Sequence, residues 1–260
     1  MLIKVKSLKG YKLHSLDGEI GKIKEFYFDD RHWTIRYLVV DTGSWLVDRQ
    51  VLISPYTLIG VNKVEKYISI NLTKKQIEDS PSLGYATPVS RQFERSYYDY
   101  YGWPIYWGGA YMWGTSPYFV PTPMFIPVLR KEPLIQERAL DYHLHSTNDV
   151  SSYDIQARDG EIGHVDDFII DDETWAIRYM VVDTQKWLPG RKVLISPRWI
   201  DHVNWENEKV VICHTRESIK LSPEYTDESL LTREYETGLH ENYNCEGYWI
   251  DEETYKKGVC

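Results

Sequence analysis

Residues 17–55 read DGEIGKIKEFYFDDRHWTIRYLVVDTGSWLVDRQVLISP, and residues 159–197 read DGEIGHVDDFIIDDETWAIRYMVVDTQKWLPGRKVLISP. The second stretch repeats the first 142 positions later, and the agreement spreads outward from it in both directions. Residues 11–107 lie over 153–249 without a gap, with 37 of 97 positions identical. The chain therefore carries two copies of one unit, and an account built on one fold with one active site does not fit it.

Each copy begins with β signals. Asp17-Gly18 and Asp159-Gly160 stand between short β-prone segments, a pattern that predicts a two-residue hairpin of type I′. The alternation in Ile20–Phe28 and Ile162–Ile170 slips at Gly21 and Gly163, as a β-bulge would require. Acidic turns at Asp29-Asp30 and Asp171-Asp172 lead into Ile35–Asp41 and Ile177–Asp183, whose apolar residues occupy both faces. Val51–Ile53, Leu58–Val61 and Lys66–Ile70 bring the first copy to about six strands. Strands this short and closely spaced suit a small barrel, which removes exposed edges. Short helices are expected over 73–79 and 215–221. Longer ones start at the N-caps Ser90 and Thr232, with Phe93, Tyr97 and Tyr101 as an apolar stripe.

Composition narrows the function classes. The net charge is −9, and residues 11–81 are balanced at ten acids and ten bases, whereas 153–223 hold thirteen acids and nine bases. Residues 224–260 add ten acids against three bases. That balance opposes nucleic-acid binding, which needs a basic face. Cys213, Cys245 and Cys260 form no CxxC and leave an odd count, so neither a disulfide scaffold nor a zinc site is expected, and a cytoplasmic location fits. No signal-peptide pattern opens the sequence. Tyr100–Leu129 holds no charge over thirty residues, but its prolines and glycines argue against a membrane-spanning helix. Trp103, Trp107, Tyr111 and Trp113 make this stretch an expected interaction strap, packed on protein or lying against a membrane surface.

No GxSxG, GxGxxG, GxxxxGK or HExxH is present, and no catalytic or metal site is expected. His143 and His145 read as a surface pair in a linker rather than metal ligands. Arg36 and Arg178 stand in mid-strand, five positions before Asp41 and Asp183. They read as members of an internal Arg–Asp ion pair, with binding of an anionic ligand as the functional alternative. Trp33, Trp175, Trp45 and Trp187 fall at strand ends, as barrel plugs or interface anchors. Asp17, Gly18, Asp159 and Gly160, with Asp41 and Asp183, read as structural.

DGEIGKIKEFYFDD, WTIRYLVVDT and WLVDRQVLISP, with their second-copy counterparts, resemble the PRC-barrel family. That family is named for the cytoplasmic domain of the H subunit of photosynthetic reaction centres, and a related barrel closes the ribosome-maturation factor RimM. The resemblance implies a mainly β chain of two tandem PRC-type barrels, each followed by short helices: residues 1–101, a linker over 102–142, and residues 143–260. It carries no catalytic residues and no cofactor. The implied role is a non-enzymatic scaffold or adaptor that binds protein, itself included, without nucleic acid. The alternatives are a peripheral accessory of a photosynthetic or electron-transfer complex at the inner membrane, and a small-molecule sensor.

Overall fold

The structure, a computed structural model, describes residues 1–47, 49–84, 89–107, 143–184, 187–188, 190–226 and 229–250. The first copy runs β1 (Leu2–Lys4), α1 (Val5–Leu8), β2 (Lys12–Ser15), β3 (Gly18–Asp29), β4 (Thr34–Asp41), β5 (Val51–Ile53), β6 (Leu58–Asn62), β7 (Tyr67–Ile70), α2 (Lys74–Glu78) and α3 (Arg91–Tyr101). The second repeats this order as β8 (Leu144–Ser146), α4 (Thr147–Val150), β9 (Asp154–Ala157), β10 (Gly160–Asp171), β11 (Ile177–Asp183), β12 (Lys192–Ile195), β13 (Ile200–Asn204), β14 (Lys209–Ile212), α5 (Arg216–Leu221) and α6 (Arg233–Asn242). Among the described residues no helix is long and apolar enough to cross a membrane.

Two seven-stranded sheets result, ordered β5-β4-β3-β2-β7-β6 and β12-β11-β10-β9-β14-β13. Strands that are consecutive in the chain and paired run antiparallel, whereas β2 pairs parallel with β7 and β9 with β14. Six strands of each sheet are those the sequence predicts. The seventh is exchanged: β1 pairs with β10 of the second copy, and β8 pairs with β3 of the first. The compact units are accordingly residues 9–145, and residues 1–8 together with 146–260. They differ from the sequence repeats in that residues 1–8 join the second copy and residues 143–145 join the first.

The exchanged segment is built in by both packing and polar contacts. Leu2, Ile3 and Lys4 face Asp171, Ile170 and Ile169 across an antiparallel pair. Val5 and Leu8 are buried. The Lys6 backbone N–H donates to Asp167 Oδ1 at 3.1 Å, and its ammonium reaches Asp166 at 2.6 Å. Burial raises the Asp167 carboxyl, while Lys192 and Lys6 hold Asp166 low against its own desolvation.

The hairpin at Asp17 forms, but not as a type I′ turn. Ser15 pairs with Gly18, so the loop residues are Leu16 and Asp17, and Asp17 does not take a positive φ. Its carboxylate accepts instead from Ser15 Oγ at 2.8 Å and from the Lys74 backbone N–H at 2.8 Å, tying the hairpin to the start of α2. Asp159 does the same for Arg216 at 2.7 Å. Gly18 and Gly160, at φ of 133° and 149°, open the following strands. The bulge near Gly21 and Gly163 is present, since the pairing skips one residue between Glu19 and Gly21 and again between Glu161 and Gly163. The helices start where predicted, with Thr73, Ser90, Thr215 and Thr232 side chains capping them. Most of the predicted strap, including Tyr111 and Trp113, lies outside the described residues.

Candidate functional site

Polar chemistry concentrates where each long helix meets its sheet. Along α3 the buried residues are Arg91, Glu94, Tyr97 and Tyr98, so the inward face carries a carboxylate as well as the expected aromatics. Phe93 is only half-buried and Tyr101 lies at the margin. Tyr97 fixes the helix to β5 by donating to the Leu52 carbonyl at 2.7 Å.

Glu94 is 0% exposed, and both of its oxygens are occupied by its own chain. Oε1 accepts from the hydroxyls of Tyr37, on β4, at 3.1 Å and of Tyr106 at 2.7 Å. Oε2 lies 3.2 Å from Arg91 Nη1 and 2.8 Å from His143 Nε2. His143 Nε2 is also 3.0 Å from the Tyr106 hydroxyl. Because Tyr106 gives its proton to Glu94, the imidazole proton is the one that serves the Nε2–Glu94 contact. Burial first, and then the Glu94 charge, push the Tyr37 and Tyr106 hydroxyls well above the usual phenol range, which keeps both as donors. The Tyr106 ring takes the Arg36 guanidinium 3.9 Å from its centre, and the Trp107 ring takes Arg91 at 4.4 Å.

The second unit builds the same cluster. Glu236 Oε1 accepts from Tyr179 at 2.9 Å and Tyr248 at 2.8 Å, and Oε2 lies 3.0 Å from Arg233. Arg178 stacks 4.0 Å above Tyr248, and Arg233 4.1 Å from the centre of the Trp249 ring. Each of these residues stands 142 positions after its counterpart. Only the imidazole comes from elsewhere. His240 lies on α6, with Nδ1 donating to the Glu246 carbonyl at 2.9 Å and Nε2 3.1 Å from the Tyr179 hydroxyl. Burial holds His240 below the ordinary histidine range, so the neutral ring faces Tyr179.

The predicted arginine pairs exist, with different partners. Arg36 is fully buried and its Nε donates to Asp29 Oδ2 at 2.6 Å, while Asp41 is exposed and caps the Gly43 N–H. Arg178 likewise reaches Asp171 at 3.1 Å rather than Asp183. The cause is a bulge: Tyr27 pairs with Tyr37 and Phe28 with Ile35, so Arg36 is the extra residue, and Arg178 is skipped in the same way. His143 and His145 are not a surface pair. His143 is buried on Glu94, and His145 Nε2 lies 3.3 Å from Asp30. Among the described residues no three His, Cys, Asp or Glu side chains are grouped to hold a metal.

The tryptophans pack on their own units. Trp33 stacks on Phe28, Trp103 on Tyr101, and Trp175 is buried. Trp45 lies 5.9 Å from Lys74 Nζ and Trp187 4.8 Å from the Arg216 guanidinium. Trp33 and Trp175 adopt positive φ in the turns that close the Asp29 and Asp171 hairpins.

Asp29 gives a pH prediction. Burial alone would raise its carboxyl, but Arg36 and then His32 overcome this and bring it from 3.8 to about 2. A folded pKa below the unfolded value adds stability that is complete above about pH 4 and lost as pH falls towards about 2, worth about 2 kcal/mol. Asp29→Asn is expected to lose that increment at neutral pH, and urea titrations should show the gap to wild type closing across that interval. A gap that stays constant on acidification would refute it.

Residues 2–77 match the PRC-barrel domain. The matched stretch runs from β1 into α2, so it takes in the seven strands of the first copy in sequence order. No curated protein matches the chain.

Proposed function

We propose that the protein is a non-catalytic binding scaffold made of two tandem PRC-type barrels, each closed from its seven-stranded sheet. The shared strand order and the 142-residue offset support extending the PRC-barrel assignment to the second copy. One observation carries the functional reading. The carboxylate that both copies hold on the long helix turns inward, where Glu94 and Glu236 have both oxygens bound by their own chain. A general acid or base has to reach a substrate, and these carboxylates instead clamp a helix to a sheet.

The exposed positions differ between copies. Ile59 and Val64, 63% and 92% exposed on β6 and its following turn, correspond to Asp201 and Glu206. An apolar edge on one unit and an acidic one on the other suit two different protein contacts. Light scattering on the full chain should reveal association that Ile59→Lys with Val64→Lys weakens. A chain that stays monomeric at every concentration, and for which cross-linking in cells finds no protein neighbour, sinks the reading.

A further inference from the structure

The two thiols among the described residues lie together, and only in the second unit. Cys213 and His214 follow β14, and Cys245 follows α6. Cys245 Sγ stands 3.9 Å from His214 Nε2, and Cys213 is an electrostatic neighbour of the same sulfur. The first unit has Asn71, Leu72 and Trp103 at the corresponding positions, neither thiol nor imidazole. Two sulfurs and a ring nitrogen have therefore met at one place where the other copy holds no such donor.

Backbone hydrogen bonds hold the segments that carry them. The Cys213 N–H donates to the Trp199 carbonyl at 2.8 Å, and the Cys245 N–H to the His240 carbonyl at 3.0 Å. The His214 carbonyl accepts from the Arg158 N–H at 3.0 Å. The His214 ring lies between two others, its centre 5.5 Å from that of Trp199 and 4.7 Å from that of Tyr243. The Cys245 thiol donates to the Tyr243 carbonyl at 3.3 Å, which leaves sulfur lone pairs for the imidazole side. Both cysteines are half-buried, so a small ion can reach them.

The gap between Cys245 and His214 is long for a hydrogen bond to sulfur, a weak partner. It suits a metal ion better. Bonds of about 2.3 Å to sulfur and about 2.0–2.1 Å to a ring nitrogen bridge 3.9 Å at an angle of roughly 125–130°, with neither side chain moved. Zinc takes four ligands, and among the described residues no three His, Cys, Asp or Glu side chains are grouped to hold a metal. A thiolate with an imidazole favours a softer ion that accepts fewer donors, copper(I). We propose that Cys245 and His214 bind one copper(I) ion, beside which stands a second sulfur, Cys213. Binding breaks the Cys245 S–H bond and forms an S–Cu bond; the proton leaves to water and the copper stays in its +1 state.

The test uses the full-length chain carrying Cys260→Ser, so that this thiol takes no part. Copper(I) is supplied without oxygen as its bathocuproine disulfonate complex, whose colour fades as protein takes the metal. Transfer of one ion per chain is expected. Cys245→Ser should abolish it. His214→Leu, which installs the first unit's residue, should weaken it at least about tenfold, no less than losing a ligand's outer-shell partner costs. Cys213→Ser should retain binding. Transfer that survives Cys245→Ser, or that His214→Leu leaves unchanged, overturns the proposal, as does release of the copper by equimolar zinc. Should these variants fail to fold, the Cys260→Ser chain alone decides. One equivalent of copper(I) should protect Cys245 from iodoacetamide, mapped by mass spectrometry, and a Cys245 alkylated as fast with the metal as without it overturns the proposal.

Discussion

Gly163→Ala is expected to unfold the second unit or cost it at least about 3 kcal/mol, among the larger effects a single methyl group can have. A Cβ built on Gly163 would stand 1.8 Å from the Asp183 carbonyl oxygen and 2.9 Å from Thr184 Cα, at a φ of 157°. Gly21 meets the same obstacle, 2.1 Å from the Asp41 carbonyl at a φ of 152°. The obstacle is backbone, so no side chain can swing aside, and relief requires moving β11 or β4 away from the long strand it pairs with. The bulge explains why the approach is so close. β10 leaves β9 and takes up β11 at this point, with Gly163 opposite Ile155 and His164 opposite Asp183. Gly238→Ala is the matched control. It stands in α6 with nothing within 4 Å of its Cβ, and should add about 0.5–1 kcal/mol through helix propensity. Urea unfolding of the Gly163→Ala, Gly21→Ala and Gly238→Ala proteins decides it, and a Gly163→Ala protein as stable as the Gly238→Ala protein would remove the close-approach explanation.

The glycine pair is legible in the sequence, because a break in strand alternation at a glycine has few other causes. The same holds for the six strands of each copy, the caps of the helices and the existence of internal Arg–Asp pairs. Partner choice was less accessible. Asp29 rather than Asp41 takes Arg36 because a bulge adds one residue to β4, and alternation alone does not reveal which mid-strand residue is extra. The exchange of β1 and β8 was hidden for a related reason. Over residues 1–10 and 143–152 only Leu2 and Leu144 agree, so the detectable repeat begins at Tyr11. Even a perfect repeat would not say whether a strand serves its own copy or the other, since the local signals are the same in both arrangements.

The Glu94 cluster leaves a trace in the sequence that helix periodicity masks. A carboxylate in the first turn of a helix ordinarily reads as a partner of the helix dipole, and aromatic periodicity drew attention to Phe93, Tyr97 and Tyr101. Yet from Ser82 to Trp107 the copies agree at only five positions, and four of them are Arg91, Glu94, Tyr106 and Trp107. Retained charge amid general divergence is what a buried ion pair produces, because losing one partner strands the other.

The same stranding of a buried partner sets the cost of losing Glu94. Glu94→Ala leaves the Arg91 guanidinium, with 6% of its side chain exposed, and His143, at 2%, facing an apolar methyl, with two phenols deprived of their acceptor. Breaking a buried pair from one side costs about 3–5 kcal/mol. Glu236→Ala should cost less, about 1–3 kcal/mol, because Arg233 is 53% exposed and can recover its hydration. Glu94→Gln separates charge from shape: the amide oxygen still accepts from the tyrosines, but the NH2 group faces Arg91 and His143, so most of the loss should remain. A joint Glu94→Ala, His143→Ala chain should recover part of the single-variant loss, since one stranded donor goes with the acid. Equal losses at Glu94 and Glu236 would mean that desolvation of the guanidinium is not what the clamp opposes, and that the phenol hydrogen bonds common to both copies carry it.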